Sequence, residues 1–267
     1  MRKTIFITGA SSGLGKATAK FFQAKGWNVI ATMRNIRDGG ELNQLENITL
    51  MPLDVTDPEQ IETTVAKAIL LHDVDVVLNN AGYGLSGALE ALSDEQIVRQ
   101  VNTNLLGVIR VTKAFIPHFA QKQSGVFINI TSIGGLIAFP LNSLYNATKF
   151  ALEGWAQSMS FELAVHNIRI KTIAPGAIQT DFAGRSLDVT PSSDYERLER
   201  KWFDLIASMQ SSGAKPEDVA SIIYDAAADG TDQVHYLAGD DANTLYAQFL
   251  QAGREEFGNA LKKQFLS

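Results

Sequence analysis

Hydrophobic positions fall into two patterns that alternate along the chain. Short apolar runs recur at Thr4–Thr8, Asn28–Thr32, Ile48–Leu53, Val74–Leu78, Gly125–Thr131, Ile168–Ala174 and Val234–Leu237. The first six are rich in Ile, Val and Phe and lack polar alternation, which predicts strands covered on both faces. Between them, helical spacing of apolar residues runs through Leu14–Lys25, Pro58–Leu71, Asp94–Gln121 and Leu144–His166. Strand–helix alternation predicts right-handed crossovers. The expected fold is α/β, a doubly wound, mostly parallel sheet of seven strands flanked by helices on both faces.

Several boundaries carry their own chemistry. Asp57-Pro58-Glu59 predicts an N-cap, a proline at the first helical position and an acid in the first turn. Ser93 and Gln96 have the spacing of a capping box, and Gly26 closes the first helix in a left-handed conformation. No repeat or Pro/Gly-rich linker divides the chain, so residues 1–267 are expected to form one domain. Thr180–Gly213 breaks the rhythm. Its Phe182, Leu187, Trp202, Phe203, Leu205, Ile206 and Met209 suit either a substrate lid or two short helices packed on the core.

Composition narrows the possible functions. A chain of 267 residues fits one large domain or two small ones and can bury a sizeable core. Its net charge of −6 argues against a partner bound by phosphate neutralisation, and no nucleic acid is expected. The absence of cysteine excludes disulfides, thiolate catalysis and Cys-based metal centres. No apolar run is long enough to span a membrane. Arg2 and Lys3 precede an apolar run of only five residues that ends in a Gly/Ser turn. This reads as a buried first strand rather than a signal peptide, and a cytoplasmic location is expected.

The first strand runs directly into Thr8-Gly9-Ala10-Ser11-Ser12-Gly13-Leu14-Gly15 and then a helix. Glycines let the backbone turn sharply beside a pyrophosphate, and the helix N-terminus offers free N–H groups and partial positive charge. The position predicts a dinucleotide site of Rossmann type. At the end of the second strand, Met33 stands where an acid would hold a ribose 2′-hydroxyl, and Arg34 follows. Arg34 suits a 2′-phosphate, predicting NADP(H) over NAD(H); otherwise it is a solvated surface arginine.

Tyr145 and Lys149 share one helical face. A nearby ammonium and an oxidised nicotinamide would lower the phenol pKa, letting Tyr145 act as acid in reduction and base in oxidation. Without other features, the pair reads as a core aromatic beside a rim lysine. Ser132 follows a strand at its carboxyl end, where its hydroxyl can either bond a substrate oxygen or cap a turn. Asn104 lies within a helical stretch it disfavours, as a satisfied core amide or as the holder of a water in a proton path.

Together these residues resemble the single-domain members of the short-chain dehydrogenase/reductase family over essentially the whole chain. The resemblance rests on Thr8-Gly9-x-x-x-Gly13-x-Gly15, Leu53-Asp54-Val55, Asn79-Asn80-Ala81-Gly82, Asn104, Ser132, Tyr145-x-x-x-Lys149 and Pro175-Gly176-x-Ile178-x-Thr180. Ser132 precedes Tyr145 by 13 residues, the usual family spacing. The resemblance implies that Tyr145 is the general acid/base and that Lys149 binds the nicotinamide ribose. It implies that Ser132 orients the substrate oxygen and that Asn104 holds a relay water. It places the pyrophosphate on Gly9 to Gly15, the adenine on Asp54 and Val55, and the adenine ribose side on Asn80, Ala81 and Gly82. Ile178 and Thr180, after Pro175 and Gly176, would meet the carboxamide.

About 25 residues with helical spacing follow Ala242. With Ala31-Thr32-Met33-Arg34, this tail resembles the branch containing steroid and retinoid reductases. His72, His118 and His166 lie at helix faces or ends without metal-ligand spacing, so no metal is expected. The leading expectation is an NADP(H)-dependent oxidoreductase acting on an apolar small-molecule carbonyl or secondary alcohol, and a homo-oligomer. Two alternatives share the fold or the Tyr/Lys pair. A nucleotide-sensing regulatory protein would need none of Tyr145, Lys149, Ser132 and Asn104. A sugar-nucleotide epimerase or dehydratase would carry a larger domain after Thr180.

Overall fold

The computed structural model describes residues 2–267, apart from the side chain of Ala183. All seven predicted runs become strands of one sheet: β1 (Thr4–Ile7), β2 (Asn28–Met33), β3 (Ile48–Pro52), β4 (Val76–Asn79), then, beyond a short β5 (Gly84–Gly87), β6 (Gly125–Ile130), β7 (Ile168–Pro175), β8 (Leu187–Thr190) outside the sheet, and β9 (His235–Ala238). The sheet order is β3-β2-β1-β4-β6-β7-β9, with every pair parallel. The order reverses between β1 and β4, which opens a crevice at their carboxyl ends.

The absence of polar alternation has the predicted cause. Ile5 and Ile7 face one layer with Leu14, Phe22, Val219 and Ile223, while Phe6 faces the other with Ile61, Phe115 and Leu163. The first layer contains α1 (Gly13–Ala24), and the second contains α2 (Pro58–Leu71), α4 (Gly107–Lys122) and α5 (Ser143–Ala164). The Asp57 carboxylate caps α2 by accepting from the N–H groups of Glu59 and Gln60. Ser93 and Gln96 form the expected capping box on α3 (Asp94–Val101), and Gly26 takes φ +81°.

Four features differ from the sequence expectation. The stretch Asp94–Gln121 is not uniform: a π-helical turn at Asn102–Leu106 separates α3 from α4. The segment 180–213 is not two short helices. It holds α6 (Phe182–Arg185), β8 and the 17-residue α7 (Glu196–Ser212). β8 pairs in parallel with β5, forming a second small sheet beside the main one. A further helix, α8 (Pro216–Ala228), outside the predicted stretches, covers the sheet next to α1, whereas the tail takes the expected helical form as α9 (Asp240–Ala252) and α10 (Arg254–Leu266). Among the described residues, no helix is long and apolar enough to cross a membrane.

Candidate active site

The carboxyl ends of the strands open into a cleft of about 1010 Å³. Every residue predicted for the site lines it except Asn104. At one end lies the glycine turn between β1 and α1. Gly9 has φ +67°, and a Cβ there would lie 2.9 Å from the Ala81 Cα. A Cβ on Gly15 would lie 2.4 Å from the Gly9 carbonyl oxygen. Asn80 locks this turn by donating from Nδ2 to the carbonyls of Thr8 (2.9 Å) and Gly9 (3.0 Å). Thr8 Oγ1 accepts in return from the N–H groups of Asn80 and Ala81. Ser12, the N-cap of α1, makes no side-chain capping bond, so the first-turn N–H groups stay available to an anion. The cradle fits a dinucleotide pyrophosphate.

Along the same wall, Met33 is buried and Arg34 is exposed. Asp54 Oδ1 accepts from the Thr56 N–H and hydroxyl, which fixes the loop containing Val55. Ahead of Ile178 and Thr180, the Pro175–Gly176 turn is held from α9. Asp241 Oδ2 accepts from the Ala177 N–H at 2.7 Å, and a Cβ on Gly176 would collide with that carboxylate.

Ser132 follows the last residues of the β6 run and accepts from the Gly134 N–H at 3.0 Å. It caps a turn, one of its two expected roles, while still lining the cleft beside Tyr145. Burial pushes the Tyr145 hydroxyl above its ordinary value of 10, and the Ser132 hydroxyl acts in the opposite direction. Lys149 directs Nζ to the Ile130 carbonyl at 2.8 Å, and that nitrogen lies 5.7 Å from the centre of the Tyr145 ring. Burial lowers the Lys149 ammonium to about 8, opposed by the charge of Glu153.

Asn104 sits in the π-helical turn with both ends of its side-chain amide bonded to Tyr83. Its Oδ1 accepts from the Tyr83 N–H at 3.0 Å and its Nδ2 donates to the Tyr83 carbonyl at 2.8 Å. These two bonds anchor Asn104 to the backbone of Tyr83 and leave a second N–H and a second lone pair on the amide. The contact sets Tyr83 on the cleft wall.

The opposite end of the cleft is apolar, with Phe139, Phe182, Leu187, Trp202, Ile206 and Met209 exposed to it. Trp202 of α7 packs between Phe139 and Phe265 of α10, at ring-centre distances of 5.7 and 6.2 Å. Tyr83, Arg99 and Asp188 supply a polar edge, where Arg99 donates to the Tyr83 hydroxyl and pairs with Asp188. Sequence reasoning missed Phe139 and Arg99, which stand apart from any motif, and Tyr83, which directly follows Gly82 but completes no chemical pattern. Glu153 was missed although it lies four residues beyond Lys149. No group of three or more His, Asp or Glu side chains among the described residues is arranged for a metal ion.

Comparison with known proteins agrees with this geometry. The chain is 35% identical over 209 residues to an uncharacterised oxidoreductase of Schizosaccharomyces pombe, covering 78% of this chain and 89% of that protein. It is 30% identical to a 3-ketodihydrosphingosine reductase of Bacteroides thetaiotaomicron, covering 91% and 90% of the two chains. The crystal structure of a short-chain dehydrogenase from Streptomyces avermitilis superposes with a TM-score of 0.85 at 28% identity, covering 94% of this chain and 95% of that one. ElxO with NADP bound superposes at 0.75 and 31% identity, covering 89% and 98%. The family described as short chain dehydrogenase matches residues 3–189, and the chain belongs to that family.

Proposed function

We propose that this chain is an NADP(H)-dependent oxidoreductase interconverting a carbonyl and a secondary alcohol on an apolar small molecule. The observation that carries this reading is the placement of Ser132, Tyr145 and Lys149 on the wall that also holds the glycine turn and Arg34. Gly9, Ser11, Ser12, Gly13, Leu14 and Gly15 would hold the pyrophosphate, and Arg34 the 2′-phosphate. Asp54, Val55, Asn80, Ala81 and Gly82 would hold the adenosine. Pro175, Gly176, Ile178 and Thr180 would frame the nicotinamide. When bound, the nicotinamide supplies the hydride in reduction and takes it up in oxidation.

The chain's own groups manage the oxygen. Ser132 orients the substrate oxygen by hydrogen bonding. Tyr145 gives that oxygen a proton during reduction and removes it during oxidation. A raised phenol pKa favours the donor role, and the Lys149 ammonium favours the phenolate left afterwards. The apolar end supports a large hydrophobic substrate, because burying apolar surface contributes about 25 cal/mol per Å². Residues 1–267 are read as one domain, with 180–213 as its substrate lid. Phe161 and Val165, left in water around the end of α5, support a homo-oligomer.

The test follows NADPH and NADH consumption against ketones and aldehydes graded in size and polarity. Turnover with NADPH should exceed that with NADH, and ring-bearing ketones should show the highest kcat/KM. Tight NADPH binding with no turnover across the panel would contradict the enzymatic reading. Equal kcat/KM for acetone-sized and ring-bearing ketones would contradict the apolar one.

A further inference from the structure

Glu153 stands one helical turn beyond Lys149 on the same face of α5 and is 7% exposed. A carboxylate buried this deeply is costly unless its oxygens are hydrogen-bonded. Both are, by residues on or directly after three parallel strands. Thr131, directly after β6, donates its hydroxyl to Oε1. Thr172 of β7 donates to Oε2 at 2.8 Å, and His235 of β9 places Nδ1 2.7 Å from the same oxygen.

The charged or titratable groups facing Glu153 are Lys149 on its own helix and His235 on β9. Thr131 and Thr172 are neutral. Lys171, beside Thr172, turns away to Asp229 and Tyr236. The contacts converge on one stretch of backbone. Lys149 holds the Ile130 carbonyl, Glu153 holds the Thr131 hydroxyl, and Ser132 comes next.

We propose that Glu153 is a positioning residue: its carboxylate keeps the buried Lys149 ammonium charged and, through Thr131, fixes the backbone that presents Ser132. The proposal rests on the roles given above to Lys149 and Ser132. Lys149 is charged below its lowered value of about 8 and neutral above it. Functions that need the ammonium therefore fall as pH rises through that value. Glu153 acts against burial, so removing its charge starts the fall at lower pH.

The experiment measures NADPH affinity by fluorescence titration, and the kcat of a ring-bearing ketone, across the pH range for the parent, Glu153→Gln, Glu153→Asp and Lys149→Ala. In Glu153→Gln, the alkaline fall in both quantities should move down by about one pH unit, with near-parent NADPH affinity under acidic conditions. Glu153→Asp retains the charge and should keep the fall within a fraction of a unit of the parent. The proposal is overturned if Glu153→Gln overlays the parent, or if its NADPH affinity falls by the same factor at every pH. Should Glu153→Gln fail to fold, a full-unit displacement in Glu153→Asp overturns it equally. A Lys149→Ala variant with parental affinity and turnover would instead overturn the assigned role of Lys149.

Discussion

Around Ser132, three consecutive residues divide the work: Ile130 receives the Lys149 ammonium, Thr131 serves Glu153, and Ser132 faces the cleft. The same economy governs Arg34, an exposed guanidinium directly after the buried Met33. If Arg34 holds a 2′-phosphate, it forms a charge-assisted hydrogen bond worth about 1.5–3 kcal/mol, roughly tenfold to a hundredfold in affinity. Arg34→Ala should weaken NADPH by that factor in a titration and leave NADH nearly unchanged; equal losses for both would make Arg34 structural. Tyr145, Lys149, Ser132 and Arg34 were legible because their spacing and strand-end positions are local in sequence. Glu153 was not, since its meaning depends on Thr131, Thr172 and His235 arriving from three strands. Asn104 was legible as an anomaly in a helix, but only folding revealed that Tyr83 bonds to both ends of its amide.

Among the elements, the turn between β1 and α1 tolerates little change. A methyl on Gly15 would press on the Gly9 carbonyl and on Asn80 Nδ2, at 2.4 and 2.5 Å. Both atoms belong to the lock that shapes the cradle, so neither can retreat without breaking a bond from Asn80. Gly15→Ala should cost about 1–3 kcal/mol of stability, the usual range for an overpacked site, and should weaken NADPH at least tenfold. Thermal unfolding and a binding titration check this, and parental values for both would contradict it. Helix boundaries were readable where capping chemistry is local, as at Asp57 and Ser93. The β5–β8 pair was not readable: Gly84–Gly87 contains two glycines, and the half-exposed Leu187–Thr190 offers no apolar run. α8 carried a readable start in Pro216, Glu217 and Asp218, the same proline and acid signal that marks α2.

At the scale of the whole molecule, the reversal of strand order between β1 and β4 brings the glycine turn and the Ser132–Tyr145–Lys149 group to one cleft. The alternating hydrophobic pattern was sufficient to predict this sheet, because both of its faces are covered. The tail's part was not predictable, since it works through distant contacts. Asp241 holds the backbone after β7, Phe265 backs Trp202, and Lys201 of α7 donates to the Ser267 carbonyl at 2.8 Å. The far side of the cleft is thus supported by the last two helices, while the proposed chemistry depends on one phenol. Tyr145→Phe removes a single oxygen and keeps the ring, so folding and NADPH affinity should persist. The decisive measurement is the kcat of Tyr145→Phe on the best ketone substrate, alongside its NADPH dissociation constant. The account predicts a loss of at least ~10²–10⁴-fold in kcat, the usual contribution of general acid–base catalysis, with NADPH binding nearly unchanged. A near-parental kcat would contradict it, because no other acid in the cleft has been assigned that proton.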